Sequence, residues 1–388
     1  MLFDGLTPQA PDALLALIGM FAADPRDGKI DLGVGVYRDE TGATPVFRAV
    51  KAAEERLVGA QDSKSYLGPE GDARFTELLK PIIFGAAAAS EGLTGVQTPG
   101  GTGALRLGAE LIAAARPAAR IWLGTPTWPN HAPVFSAPGL ALATYRYFDQ
   151  GAQAIRFDEM VEALSGADAG DVVLLHACCH NPTGANLAAE QWAEIAEVVA
   201  RRGVVPFVDF AYQGLGDGLD EDAAGLRRLL DAAEDVIVAY SCDKNFGLYR
   251  DRVGALYVRA RGKARAELVQ SNMQALARTS WSMPPDHGAA VVRTILDTPG
   301  LAADWRRELT SMRARIAAVR QALADGDEAL EPQRRQQGMF SLLPLSPDRV
   351  AALRETHGVY MAGSGRVNLA GLTLGTVPKF IEALKSVR

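Results

Sequence analysis

The chain predicts an α/β fold, with a large domain built on a mostly parallel sheet flanked by helices and a smaller α+β domain. Three observations predict it. Short continuous apolar runs, such as Val172-Val-Leu-Leu-His176 and Val204-Val-Pro-Phe-Val-Asp209, have the pattern of strands buried on both faces. These runs alternate with stretches of helical periodicity, so a parallel βαβ arrangement is the economical one. Several polar groups stand immediately after the runs, where open parallel sheets collect their ligands.

In chain order, Ile121-Trp-Leu-Gly124 reads as a strand, and a helix is expected after Thr98-Pro-Gly-Gly-Thr-Gly103. Val172–His176 and Val204–Asp209 bracket a helix that begins near Leu187. In it Trp192, Ile195, Ala196 and Val199 recur at helical spacing, and Arg201-Arg202-Gly203 supplies the stop. Val236-Ile-Val-Ala-Tyr240 and Val253-Gly-Ala-Leu-Tyr-Val258 are further strands. Trp305, Met312, Ile316 and Val319 mark one face of a long helix suited to joining two domains. Strand-like pieces follow at Gly338–Ser341 and Arg366–Leu369, and a closing helix runs through Phe380 to Leu384. The expected division is a large domain over 48–300, with 1–47 and 301–388 together forming the smaller one.

Bulk properties narrow the function. The 388 residues are 48% hydrophobic and 22% charged, enough for a large core. A net charge of -6 argues against nucleic acid. No apolar run approaches the length of a membrane span. Three cysteines, Cys178, Cys179 and Cys242, make no disulfide framework, and no signal peptide is visible, so a cytoplasmic protein is expected.

The chemistry centres on Lys244, in Ser241-Cys-Asp-Lys-Asn-Phe-Gly-Leu-Tyr-Arg-Asp-Arg-Val-Gly254. A lysine at the apolar end of a strand, with cations nearby, has its ammonium form disfavoured. Its free amine can then form a Schiff base with an aldehyde. Asp209, Ser241 and His180-Asn181 also follow strands and could converge on the same crevice, although Asp209 alone reads equally as a structural acid. Gly100-Gly-Thr-Gly103 before a helix suits a phosphate, because glycines admit close approach and the helix start offers free N–H groups. Arg252 could supply a guanidinium fork to the same anion. Neither the dinucleotide fingerprint nor the P-loop is present, and no hydrolase, metalloprotease or kinase motif occurs. His176-Ala-Cys-Cys-His180 lacks the spacing of a zinc site, leaving packed, reduced side chains as the main reading and a shared strand face as the alternative.

Together these stretches resemble the class I aspartate and aromatic-amino-acid aminotransferases, pyridoxal-phosphate enzymes of fold type I. The resemblance rests on Leu32–Tyr37, Tyr66–Gly68, Gly100–Leu105, Trp128-Pro-Asn-His131, Cys178–Gly184, Asp209–Gly214, Lys244–Gly247 and Gly365–Asn368. It leans toward the bacterial aromatic enzymes through Cys179–Asn186 and Thr144–Phe148.

The resemblance implies a role for each site residue. Lys244 would carry the cofactor covalently and shuttle the proton, and Asp209 would pair with the pyridine nitrogen. Asn181 and Tyr212 would bond the phenolic oxygen, and Trp128 would stack on the ring. Gly101, Thr102, Ser241 and Arg252 would hold the phosphate, reached by Tyr66 from the partner of a homodimer. His131 and His176 would sit behind Asp209. Arg366 would clamp the substrate α-carboxylate, and Arg278 would cross the dimer interface to a dicarboxylate side chain. Gly35 would lie where the small domain closes over the substrate.

The implied activity is ping-pong exchange of amino groups between aromatic amino acids or aspartate and 2-oxoglutarate. A dedicated aspartate aminotransferase, another reaction on the same cofactor such as β-decarboxylation, and a binding protein without turnover remain alternatives. One departure stands out. Asp243 precedes the lysine where the family usually has serine or threonine. Its carboxylate could repel the phosphate and weaken cofactor retention relative to a serine, raise the lysine's pKa through its own charge, or turn outward to a basic neighbour such as Arg250.

Overall fold

The computed structural model describes residues 1–8 and 13–388. Seven strands form the central sheet. In chain order they are β1 (Leu93–Pro99), β2 (Arg120–Thr125), β3 (Ala141–Arg146), β4 (Val172–His176), β5 (Val205–Phe210), β6 (Val236–Ser241) and β7 (Val253–Arg259). Their spatial order is β1-β7-β6-β5-β4-β2-β3. Every pairing from β6 to β3 is parallel, whereas β7 runs antiparallel to both its neighbours.

The apolar runs are continuous because alternate residues of one strand feed two different cores. Val173, Leu175, Val208, Phe210, Val238 and Tyr240 pack on one face. Val172, Leu174, Phe207, Ile237 and Ala239 pack on the other. The helix Ala189–Arg202 covers the first face with Trp192, Ile195 and Val199, and stops at Gly203 in the left-handed conformation (φ 65°), as its sequence requires. The helix Gly100–Ala115 covers the second face with Ala104, Leu105 and Leu107.

A third core gathers Ile30 and Leu32 with residues between Val319 and Leu384. The helix Pro299–Gly326 belongs to two cores at once. Trp305, Leu309, Met312 and Ile316 enter the large one, whereas Val319 and Leu323 enter the third. The N-terminal segment joins this third body through parallel pairing of Ile30–Asp31 with Val359–Tyr360, beside an antiparallel pair, Phe340–Leu342 with Arg366–Asn368.

One expectation is corrected, and one expected strand proves to be reversed. The Gly100–Gly103 stretch is the first turn of its helix rather than a loop ahead of it. The strand at Val253 breaks the parallel pattern, and that reversal matters for the site. Because β7 runs backwards, its N-terminal end lies at the edge where the other strands end, with Val253 opposite Pro99 and Gly254 opposite Ser241.

Candidate active site

Four strand ends and one strand start therefore build one crevice. Asp209 comes from β5, Ser241 and Lys244 from the end of β6, Asn181 from the loop after β4, and Gly101 and Thr102 from the helix after β1. Arg252 comes from the start of β7. All seven line a cavity of about 280 Å³, near the lower bound for small-molecule sites (roughly 300–1,000 Å³). Glycine makes the closure possible. A Cβ on Gly254 would stand 2.5 Å from the carbonyl carbon of Gly100, so β7 and the helix start touch backbone to backbone.

Lys244 lines this cavity with its Nζ 5.4 Å from the centroid of the Tyr212 ring. Desolvation holds its ammonium below the ordinary lysine pKa; Asp243 and Asp209 oppose that shift and Arg252 assists it. The loop carrying it is anchored from the long helix. Trp305 stacks on Phe246 at 4.3 Å between ring centroids and donates to the Asn245 carbonyl at 2.8 Å.

Asp209 is 7% exposed and His131 is fully buried, with His131 Nε2 2.9 Å from Asp209 Oδ2. Burial pushes the Asp209 carboxyl up, but the hydrogen bond and charge of His131, aided by His176 and Lys244, outweigh it and hold the pKa below its usual value. His176 lies opposite Asp209 in the β4–β5 pairing, and burial pushes it down to about 3. The His176-Ala-Cys-Cys-His180 stretch does not converge on one point. His176 gathers with His131 and Asp209, whereas Cys178 and Cys179 approach Asp222.

Asn181 Nδ2 reaches the Tyr212 hydroxyl at 3.5 Å. Its Oδ1 is buried with no hydrogen-bond partner among the described residues. Trp128 lines the cavity and meets His131 edge-on at 5.2 Å. Arg366, 5% exposed, donates to the Gly33 carbonyl at 2.8 Å and lies 4.8 Å from the Phe340 ring centroid. Gly35 presses on the same ring, and a Cβ there would stand 2.9 Å from Phe340 Cζ.

Tyr66 and Arg278 stand apart from this cavity. Tyr66 is 90% exposed, and Arg278, also exposed, bonds Ser282 on its own surface. The cavity also takes in residues not singled out from the sequence: Leu105, Ala211, Tyr249 and Phe340. Phe340 lies in a segment read only as a strand. Tyr249 falls inside the lysine-bearing run but carried no signal of its own. Its hydroxyl accepts the Tyr37 backbone N–H at 3.0 Å, tying the N-terminal segment to the lysine loop.

Asp243 is 2% exposed and pairs with Arg252, not with Arg250. The expectation of an outward-turned carboxylate is therefore corrected. Its Oδ1 also accepts the Val253 backbone N–H, which draws the side chain inward toward β7.

The sequence profile described as aminotransferase class I and II matches residues 27–384. This chain is a class I and II aminotransferase. The tyrosine aminotransferase of Rhizobium meliloti is 58% identical to it over 376 residues, 96% of each chain. The aspartate aminotransferase of Salmonella typhi is 43% identical over 395 aligned positions, the full length of both. Among solved structures, the aromatic-amino-acid aminotransferase of Burkholderia pseudomallei covalently bound to pyridoxal phosphate superposes with a TM-score of 0.97. It is 38% identical over 100% of this aminotransferase and 99% of its own chain.

Proposed function

We propose that this aminotransferase exchanges the amino group of aromatic amino acids and aspartate with 2-oxoglutarate, using pyridoxal phosphate in a homodimeric, cytoplasmic enzyme. The observation that carries it is one cavity presenting a desolvated lysine, a buried ionised aspartate and a buried arginine. The names of the relatives, tyrosine and aspartate aminotransferase, support both substrate classes.

The residues present fit pyridoxal phosphate. The Asn181 amide oxygen is buried and unpartnered, as a group reserved for a ligand would be. The helix start at Gly100 has no side-chain cap and no acid in its first turn, leaving N–H groups for an anion. Gly101, Thr102, Ser241 and Arg252 would hold the phosphate there. When bound, the cofactor supplies an electron sink that stabilises the carbanion formed at the substrate's Cα.

The chain's own residues do the rest. The Lys244 amine would hold the cofactor and, once freed from it, would accept the proton from the substrate's Cα. Asp209, kept ionised by His131, would hold a proton at the cofactor's ring nitrogen. Trp128 would cover the ring, and Asn181 and Tyr212 would bond its phenolic oxygen. The Arg366 fork fixes the substrate α-carboxylate. Tyr66 and Arg278, exposed and outside their own chain's cavity, would serve the site of a second copy. The third core and the helix shared between cores support a small domain of 1–47 and 301–388 on a large domain of 48–300. Among the described residues no helix is long and apolar enough to cross a membrane.

The test is to add excess aspartate, and separately phenylalanine, to the purified protein without keto acid and follow the cofactor's absorbance. Rapid loss of the band with both donors is expected. Loss with aspartate alone would make it a dedicated aspartate aminotransferase, the second reading that Arg278 supports. Loss with neither would overturn the assignment of Lys244.

A further inference from the structure

The anion cradle at the helix start contains a negative charge of the protein's own. Asp243 Oδ2 accepts from Arg252 Nη1 at 2.5 Å, and Oδ1 accepts from the Val253 backbone N–H at 3.2 Å. The Asp243 backbone N–H in turn donates to Ser241 Oγ at 3.2 Å. Both side chains face Gly100: a Cβ built there would lie 2.5 Å from Arg252 Nη2 and 3.1 Å from Asp243 Oδ2. The carboxylate therefore shares one small space with the free helix N–H groups, Ser241 and the arginine.

An anion drawn to this cradle meets two costs. Arg252 Nη1 is already committed to Asp243 and to the Tyr249 carbonyl, at 3.0 Å, so the arginine must divide its charge. The incoming charge also lies against a buried carboxylate, a like-charge contact that water screens poorly there. The side chain of Arg252 is 41% exposed and can turn, whereas that of Asp243 is 3% exposed and pinned by Val253.

We propose that Asp243 is a retention-setting residue: it competes with the cofactor's phosphate for Arg252 and makes this aminotransferase release its cofactor readily. The inference rests on the reading of the cradle as the pyridoxal-phosphate site. It concerns binding at the phosphate end; Asp243 also favours the Lys244 ammonium, so the test needs a reading that does not pass through the lysine.

The test compares holoenzyme of the wild type, Asp243→Asn and Asp243→Ser by dialysis at one ionic strength, reading retained cofactor by absorbance. Asparagine keeps an acceptor for the Val253 N–H while removing the charge, and serine removes the carboxyl entirely. Both variants should lose cofactor at least about tenfold more slowly, the scale of one unscreened like charge near a phosphate. Inorganic phosphate titrated calorimetrically into the cofactor-free proteins gives a reading independent of the lysine bond. Both variants should bind it tighter by a similar factor. Equal or faster cofactor loss together with unchanged phosphate affinity would overturn the proposal and leave the functional reading intact. Failure of all three proteins to take up pyridoxal phosphate would bring down the functional reading, and the proposal with it.

Discussion

His131 Nε2 stands 2.9 Å from Asp209 Oδ2, and His131 Nδ1 stands 2.8 Å from Thr127 Oγ1. An ionised carboxylate only accepts, so Nε2 donates to Asp209, while Nδ1 meets the Thr127 hydroxyl. The pair fixes the ring's orientation and keeps a charge under the cavity floor.

Asp209→Asn keeps the shape of this floor and removes its charge. With cofactor in saturating excess, kcat should fall about 10²- to 10³-fold, the scale of losing one preorganised electrostatic group. Steady-state kinetics decide it. An unchanged kcat would show that the ring nitrogen needs no anionic partner here.

Arg278→Ala should cost aspartate at least about tenfold more kcat/KM than it costs phenylalanine, because only aspartate is left with an unpaired charge in the site. Equal losses for the two donors would remove Arg278 from the substrate site. Tyr66→Phe supplies a separate check on the second copy, since its effect should fall on cofactor retention rather than on donor choice.

Two histidines, the half-buried His176 and the buried His180, make stability depend on pH. Burial holds His176 at about 3 and His180 well below its ordinary value, so the folded protein keeps both neutral while the unfolded chain protonates them near 6.5. The unfolded state then binds more protons, and the stability associated with neutral His176 is complete above pH 6.5 and lost as pH falls from there toward 3. Between pH 6.5 and 5, above the main carboxylate range, His176→Gln should make the thermal midpoint less dependent on pH than in the wild type. Parallel curves for the two proteins would contradict the burial of a neutral ring.

Arg320 is 3% exposed and binds backbone oxygens rather than a carboxylate: Gly338 at 2.8 Å, Phe340 at 2.5 Å and Gln337 at 3.1 Å, with Gln333 Oε1 at 2.8 Å. Burial pushes its guanidinium down to about 9. Arg320→Met strands several buried acceptors and should lower stability by about 2–4 kcal/mol. Because Phe340 also carries Gly35 and Arg366, KM for the donor should rise as well. A thermal melt and one Michaelis curve test both, and a variant as stable as wild type would show that water replaces the guanidinium.

Much of this aminotransferase was legible in its residues, because the determining forces act over short chain distances. Apolar runs of strand length marked β4, β5 and β6, helical spacing marked the segments between them, and Gly203 ended its helix as its own backbone freedom dictates. Lys244, Asp209 and Asn181 could be read as a group because each lies at or just after the end of a strand, and parallel strands end on the same side. Tertiary structure decided the rest. The reversal of β7 is invisible in Val253–Val258, since an apolar run looks the same in either direction. Only its pairing with β1 and β6 brings Arg252 and Asp243 to one edge. Phe340 reached the cavity because the long helix carries the small body over the sheet, a contact between segments far apart in sequence. The separation of Tyr66 and Arg278 from their own chain's cavity was likewise fixed by where the folded surface places them. Local pattern chooses each element and its buried face; the direction of a strand, and which distant loops meet, are set by hydrogen bonding and packing that no short window contains.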